Sequence, residues 1–111
     1  MKWGKRYGPD FVNRLYSSIK RHAKKPTKFY CFTDDNMGIN KHISCKELPK
    51  INLPKNISFT PWRKLSVWQY PLEELEGDVL FLDLDLIITG NLDQFFDYKP
   101  GNYCVIENWT Q

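Results

Sequence analysis

The chain has 111 residues, 41% of them hydrophobic and 15% aromatic, which suits one folded domain and excludes a disordered or low-complexity chain. The formal net charge of +3 is small, no nucleic-acid-binding motif is present, and no apolar run is long enough to span a bilayer. Cys31, Cys45 and Cys104 are odd in number and widely spaced, so they read as free thiols of a reducing compartment, and a cytoplasmic setting is expected. The sequons at Asn56 and Asn108 matter only in a secretory compartment, to which no leader-like segment points.

In chain order, Gly8-Pro9-Asp10 signals a helix start. Phe11, Leu15 and Ile19 recur every four residues beside Val12 and Tyr16, so the spacing predicts a helix over 10–23, ended by Pro26. The basic run Lys20, Arg21, Lys24, Lys25 and Lys28 reads as a solvated helix end. Residues 27–33 are aromatic and β-branched and predict a strand, closed by the polar turn Asp34-Asp35-Asn36 and Gly38. A weaker strand is expected over 43–48, followed by an irregular stretch between Pro49 and Pro54.

Thr60-Pro61 has the form of an N-cap followed by proline at the first helical position. The helix it opens runs to about Tyr70, with Trp62, Leu65, Val67 and Trp68 as its apolar positions and Pro71 as its interruption. Trp62 and Trp68 read as core residues. Val79-Leu80-Phe81-Leu82 is a continuous apolar run, the pattern of a central strand buried on both faces. Beyond it, Leu92, Phe95 and Phe96 predict a short helix with Asp93 as a cap, and 103–106 is the last strand candidate. Helices alternating with strands define an α/β sheet, whose ligands bind at the carboxyl ends of the strands.

Asp83-Leu84-Asp85 stands at such an end. Charges are costly in a core, so two acids after an apolar strand should emerge from it or hold a cation. In an extended segment residues two apart share a side, and two carboxylates facing one point repel unless a proton or cation lies between them. A hard divalent ion such as Mn2+ or Mg2+ would relieve that repulsion and complete its shell with substrate phosphates. Alone, D-x-D is a weak pattern found in many surface turns.

The wider context is more specific. Residues 79–96, from Val79 through the D-x-D to Thr89-Gly90-Asn91-Leu92-Asp93 and Phe95-Phe96, resemble the D-x-D region of family 8-like bacterial glycosyltransferases. Upstream, Lys2-Trp3-Gly4 with Tyr7-Gly8 is similar to the loop after their first strand, and Val12-Asn13-Arg14-Leu15-Tyr16 to the next helix. Cys31-Phe32-Thr33-Asp34-Asp35 resembles the end of the second strand, and Trp62-Arg63-Lys64-Leu65 the helix before the D-x-D.

The resemblance implies a Rossmann-like, A-type glycosyltransferase domain: a mostly parallel sheet flanked by helices, with 1–111 as one partial nucleotide-sugar-binding unit. It implies a donor that is a nucleotide-sugar, UDP-linked by preference, and a glycan, lipid or protein acceptor. Asp85 would be the firmer metal ligand, while Asp83 would touch the metal or the donor ribose. Trp3, Gly4 and Tyr7 would lie by the nucleobase, Thr33 and Asp34 would face the nucleotide, and Lys64 would reach the diphosphate. Each has a plainer reading: Trp3 as a packed aromatic, Thr33-Asp34-Asp35 as a turn cap, Lys64 as a solvated lysine. No catalytic residue is assigned, nor any role for His22 or His42.

Against the family pattern, Met1-Lys2 stands where a whole first strand is expected, and an acceptor-binding half is expected beyond Asn108-Trp109. The domain is therefore expected to be incomplete at both ends, with a complementing chain as a possible partner and stand-alone turnover left open. Two other readings remain: an inactive remnant or nucleotide-binding module, and a haloacid dehalogenase-type phosphatase with Asp83 as nucleophile. The phosphatase motif ordinarily sits early in a chain, unlike this one.

Overall fold

A computed structural model describes residues 1–57, 61–69, 72 and 75–107. It is a small α/β domain with a two-stranded parallel sheet. The leading helix, α1 (Pro9–His22), buries Val12, Leu15 and Ile19, the positions its four-residue periodicity marks. Proline fits its first turn because no intrahelical N–H partner is needed there. The helix stops before Pro26: Ala23 turns extended and its N–H donates to the Ile19 carbonyl.

Strand β1 (Tyr30–Phe32) pairs in parallel with β2 (Ser44–Lys46), with Cys31 opposite Cys45. Both strands lie inside their predicted ranges but are shorter. On its other edge β1 carries a single parallel bridge, between Thr33 and Lys2. The connection from β1 to β2 is fastened to α1 by Asn13, whose amide donates to the Gly38 carbonyl and accepts from the Asn40 N–H. Gly38 has φ +76°, and an added Cβ would meet Pro9 Cγ at 3.0 Å, so this turn needs glycine on both counts.

The rest of the chain departs from expectation in three places. The predicted helix from Pro61 to about Tyr70 is instead a 3-10 helix, η1 (Pro61–Trp68). Its Thr60 cap, its Tyr70 end and Pro71 lie outside the described residues. With three residues per turn, positions three apart eclipse. Trp62, Leu65 and Trp68 therefore form one ridge, and each is at least half exposed, so neither tryptophan is a core residue. The inward face is Arg63 and Ser66 instead, with Ser66 fully buried and its hydroxyl donating to the Arg63 carbonyl. A second short 3-10 turn covers Lys55–Ile57.

Residues 79–82 form no strand. Their side chains still alternate as a strand's would. Leu80, Leu82 and Leu84 pack on the cluster of Leu15, Ile19 and Leu92, while Phe81 meets Trp68 with ring centroids 6.3 Å apart. What is missing is a backbone ladder: no described strand lies beside the segment. Residues 103–106 likewise form no strand, and Tyr103, Val105 and Ile106 are exposed.

The short closing helix, α2 (Asp93–Asp97), does form. Asp93 does not cap it; its carboxylate accepts the backbone N–H groups of Lys24 and Lys25 and ties α2 to the end of α1. The Lys25–Asp97 ion pair reinforces that joint. Two apolar clusters result. One joins Val12 to Cys31 and Ile43; the other joins Leu15 and Ile19 to Leu92.

Candidate functional site

The carboxyl end of β1 gathers four pieces of chain. Thr33 and Asp34 leave the strand there. The Thr33 hydroxyl donates to the Asp35 carbonyl and accepts the Asp35 N–H, so this buried side chain shapes the turn. Asp34 is exposed, and its Oδ2 accepts the Gly4 N–H at 2.9 Å, which draws the 3–8 loop onto the strand end. Gly4 has φ +62°, a conformation that costs a side-chain-bearing residue about 1 kcal/mol or more. Lys2, absent from the sequence-level candidates, is buried and donates from Nζ to the Asp35 carbonyl. Its surroundings exist only once the loop has folded, so no local pattern marks it.

Asp83 and Asp85 arrive at the same place from 79–82. Leu84-Asp85 lies in a turn rather than in extended chain, so the two acids take different partners. Tyr7 donates its hydroxyl to Asp85 Oδ2 at 2.9 Å. This bond raises the phenol pKa above its ordinary 10.0, and the Asp83 charge acts on the ring in the same direction. Asp83 Oδ1 is held by Lys64 Nζ of η1 at 2.6 Å. With both partners partly exposed, that ion pair contributes at most about 1 kcal/mol to stability, so its effect is chiefly one of placement. Trp3 is half-buried on the same loop.

The structure therefore joins Gly4 to Asp34, Tyr7 to Asp85 and Lys64 to Asp83, with Trp3 on the same loop as Gly4 and Tyr7 and Thr33 next to Asp34. The Tyr7–Asp85 and Lys64–Asp83 pairings are new, since each joins distant parts of the chain. Among the described residues, no three of His, Cys, Asp and Glu converge as a metal cluster. Asp83 and Asp85 provide a two-carboxylate oxygen donor set. That set matches how a hard cation is held when it also takes phosphate oxygens and water. Their present partners differ: the Lys64 ammonium offsets the charge of Asp83, while the neutral Tyr7 phenol only donates a hydrogen bond to Asp85.

Comparison with known proteins agrees in outline. The chain is similar to a glycosyltransferase. Over 116 aligned positions it is 29% identical to the glycosyltransferase GlyB of Streptococcus pneumoniae serotype 4 (strain ATCC BAA-334 / TIGR4), a match covering 86% of this chain. The same match covers 28% of that protein, so the chain corresponds to less than a third of its relative's length. No protein-family model and no solved structure matches the chain. No helix among the described residues is long and apolar enough to cross a membrane.

Proposed function

We propose that this chain is the donor-binding portion of a glycosyltransferase, holding a nucleotide-sugar, UDP-linked by preference, at the carboxyl end of β1. The observation that carries the reading is the pairing of Asp85 with Tyr7 of the loop 3–8 and of the nearby Asp83 with Lys64. The distant likeness to a glycosyltransferase supports it independently. In this reading Gly4 and Trp3 offer backbone and ring to the nucleobase, and Asp34 keeps the loop in register. Lys64 lies where a diphosphate would draw its ammonium away from Asp83.

Asp85, with Asp83 beside it, would hold Mn2+ or Mg2+. When bound, that cation would neutralise the donor diphosphate and the charge on the departing nucleotide. Tyr7 would steady the Asp85 carboxylate through its hydroxyl. The acceptor, a glycan, lipid or protein, would be recognised by parts outside the described residues, and the setting would be cytoplasmic.

The test is calorimetric titration of UDP into the chain, with and without Mn2+, repeated on Asp85→Asn. Metal-dependent binding that falls at least about tenfold in the variant, the loss of roughly one charge-assisted contact, is the expected result. Equal UDP binding by both proteins, or binding indifferent to Mn2+, would overturn the assignment. If the folded chain binds no UDP at all, the reading as a module completed by a partner chain gains, because residues 79–82, which lead into both acids, have no strand beside them among the described residues.

A further inference from the structure

The two strands set a pair of thiols side by side. In the parallel register Cys31 stands opposite Cys45. Residues directly opposite in a sheet turn their side chains to the same face, and residues two apart along a strand share that face. Here the face is the one beneath α1. Phe29 and Cys31 along one stretch, with Ile43 and Cys45 along the other, all join the cluster that α1 covers with Val12 and Tyr16. Neighbouring strands lie about 4.8 Å apart, inside the span of about 4.4 to 6.8 Å that separates the Cα atoms of disulfide-bonded residues.

Both are free thiols, and their exposure differs. Cys31 is buried and Cys45 half-buried, so a reagent from solvent meets Cys45 first. Burial holds both thiols above the usual cysteine range, which slows their chemistry at neutral pH without removing it. Cys104 is exposed and belongs to neither strand.

We propose that Cys31 and Cys45 are a disulfide-forming pair, closed by exchange with a small-molecule disulfide and reopened by a thiol. The Cys45 thiolate attacks one sulfur of the reagent. A mixed disulfide forms on Cys45, the reagent's S–S bond breaks and one thiolate leaves. The Cys31 thiolate then attacks Cys45 Sγ, the mixed disulfide breaks and the second thiolate leaves. The protein has given up two electrons and two protons, the protons passing through solvent to the leaving thiolates, and the reagent has become two thiols. In a reducing compartment the pair rests open, and an oxidising challenge closes it. Closure makes a covalent ring of the connection from β1 to β2, the stretch that carries Thr33, Asp34 and the Gly38 turn. The inference does not depend on the donor-site reading.

The test equilibrates the folded chain, as Cys104→Ser, with mixtures of reduced and oxidised glutathione at mildly alkaline pH, and repeats this in unfolding urea. Samples are quenched with acid, alkylated, and read by intact mass and peptide mapping. The expected product is a monomer that has lost two hydrogens, with the peptides of Cys31 and Cys45 joined. Closure should be favoured about tenfold or more in the folded chain over the urea-unfolded one, read as the glutathione ratio at half-closure, because the sheet already holds the thiols together. In the same background Cys31→Ser should stop at a glutathione mixed disulfide on Cys45, and Cys45→Ser should leave Cys31 unmodified. Closure no more favourable in the folded chain than in urea would overturn the proposal. So would a folded pair that stops at mixed disulfides, or joined peptides found only between two chains.

Discussion

Tyr7 is the residue at which the candidate site can be read most directly. Its hydroxyl donates to Asp85 and its ring feels the charge of Asp83, so its ionisation reports on both acids. A phenol raised in the folded state keeps its proton beyond pH 10, and whatever stability it contributes is present below that pH and lost as pH rises through the raised value. The difference between the ultraviolet titrations of the chain and of Tyr7→Phe should show one tyrosine ionising above 10. Repeating that difference in an Asp85→Asn background should move the transition back toward 10, and an unmoved transition would place Tyr7 away from Asp85 in solution.

The cysteines give a second residue-scale reading. Burial raises the thiol pKa of both Cys31 and Cys45 above 9.0, whereas Cys104 is exposed. Thiolate is the reactive form, so an alkylating reagent at neutral pH should modify Cys104 first and Cys31 last. Because both raised thiols favour the folded state only while protonated, the chain should lose stability as pH climbs past 9, measurable as a falling Tm.

At the scale of elements, α1 is the member on which the others depend. Leu15 is 3% exposed and joins Ile19 and Leu92, with Leu80, Leu82 and Leu84 resting on the same cluster. Leu15→Ala should cost about 3 kcal/mol, read from urea unfolding, and should loosen 79–82 along with the helix. Ile87→Ala, at a position 86% exposed, should stay within about 0.5 kcal/mol. The same logic explains the altered face of η1. A helix wound at three residues per turn aligns Trp62, Leu65 and Trp68 outward, and no change in hydrophobic composition was needed for that.

Across the whole molecule, the radius of gyration is 14.5 Å, against about 13 Å for a closely packed chain of this length. The core is correspondingly small and split into two clusters, both built on α1.

The sequence by itself determined the elements whose signals are local. The four-residue recurrence from Phe11 to Ile19 specifies α1, the β-branched and aromatic stretch around Tyr30 specifies β1, and Leu92 with Phe95 and Phe96 specifies a short helix. It also marked Asp83 and Asp85, because charged residues following four apolar ones are conspicuous without any fold. Only the tertiary structure decided whether 79–82 and 103–106 are strands. A strand is completed by a neighbour's backbone, and apolar alternation cannot report whether that neighbour is present. The same holds for the pairing of Lys64 with Asp83 and of Tyr7 with Asp85. Hydrogen bonds between residues far apart in the chain form only where packing brings the partners within about 3 Å, and a one-dimensional pattern carries no record of that distance.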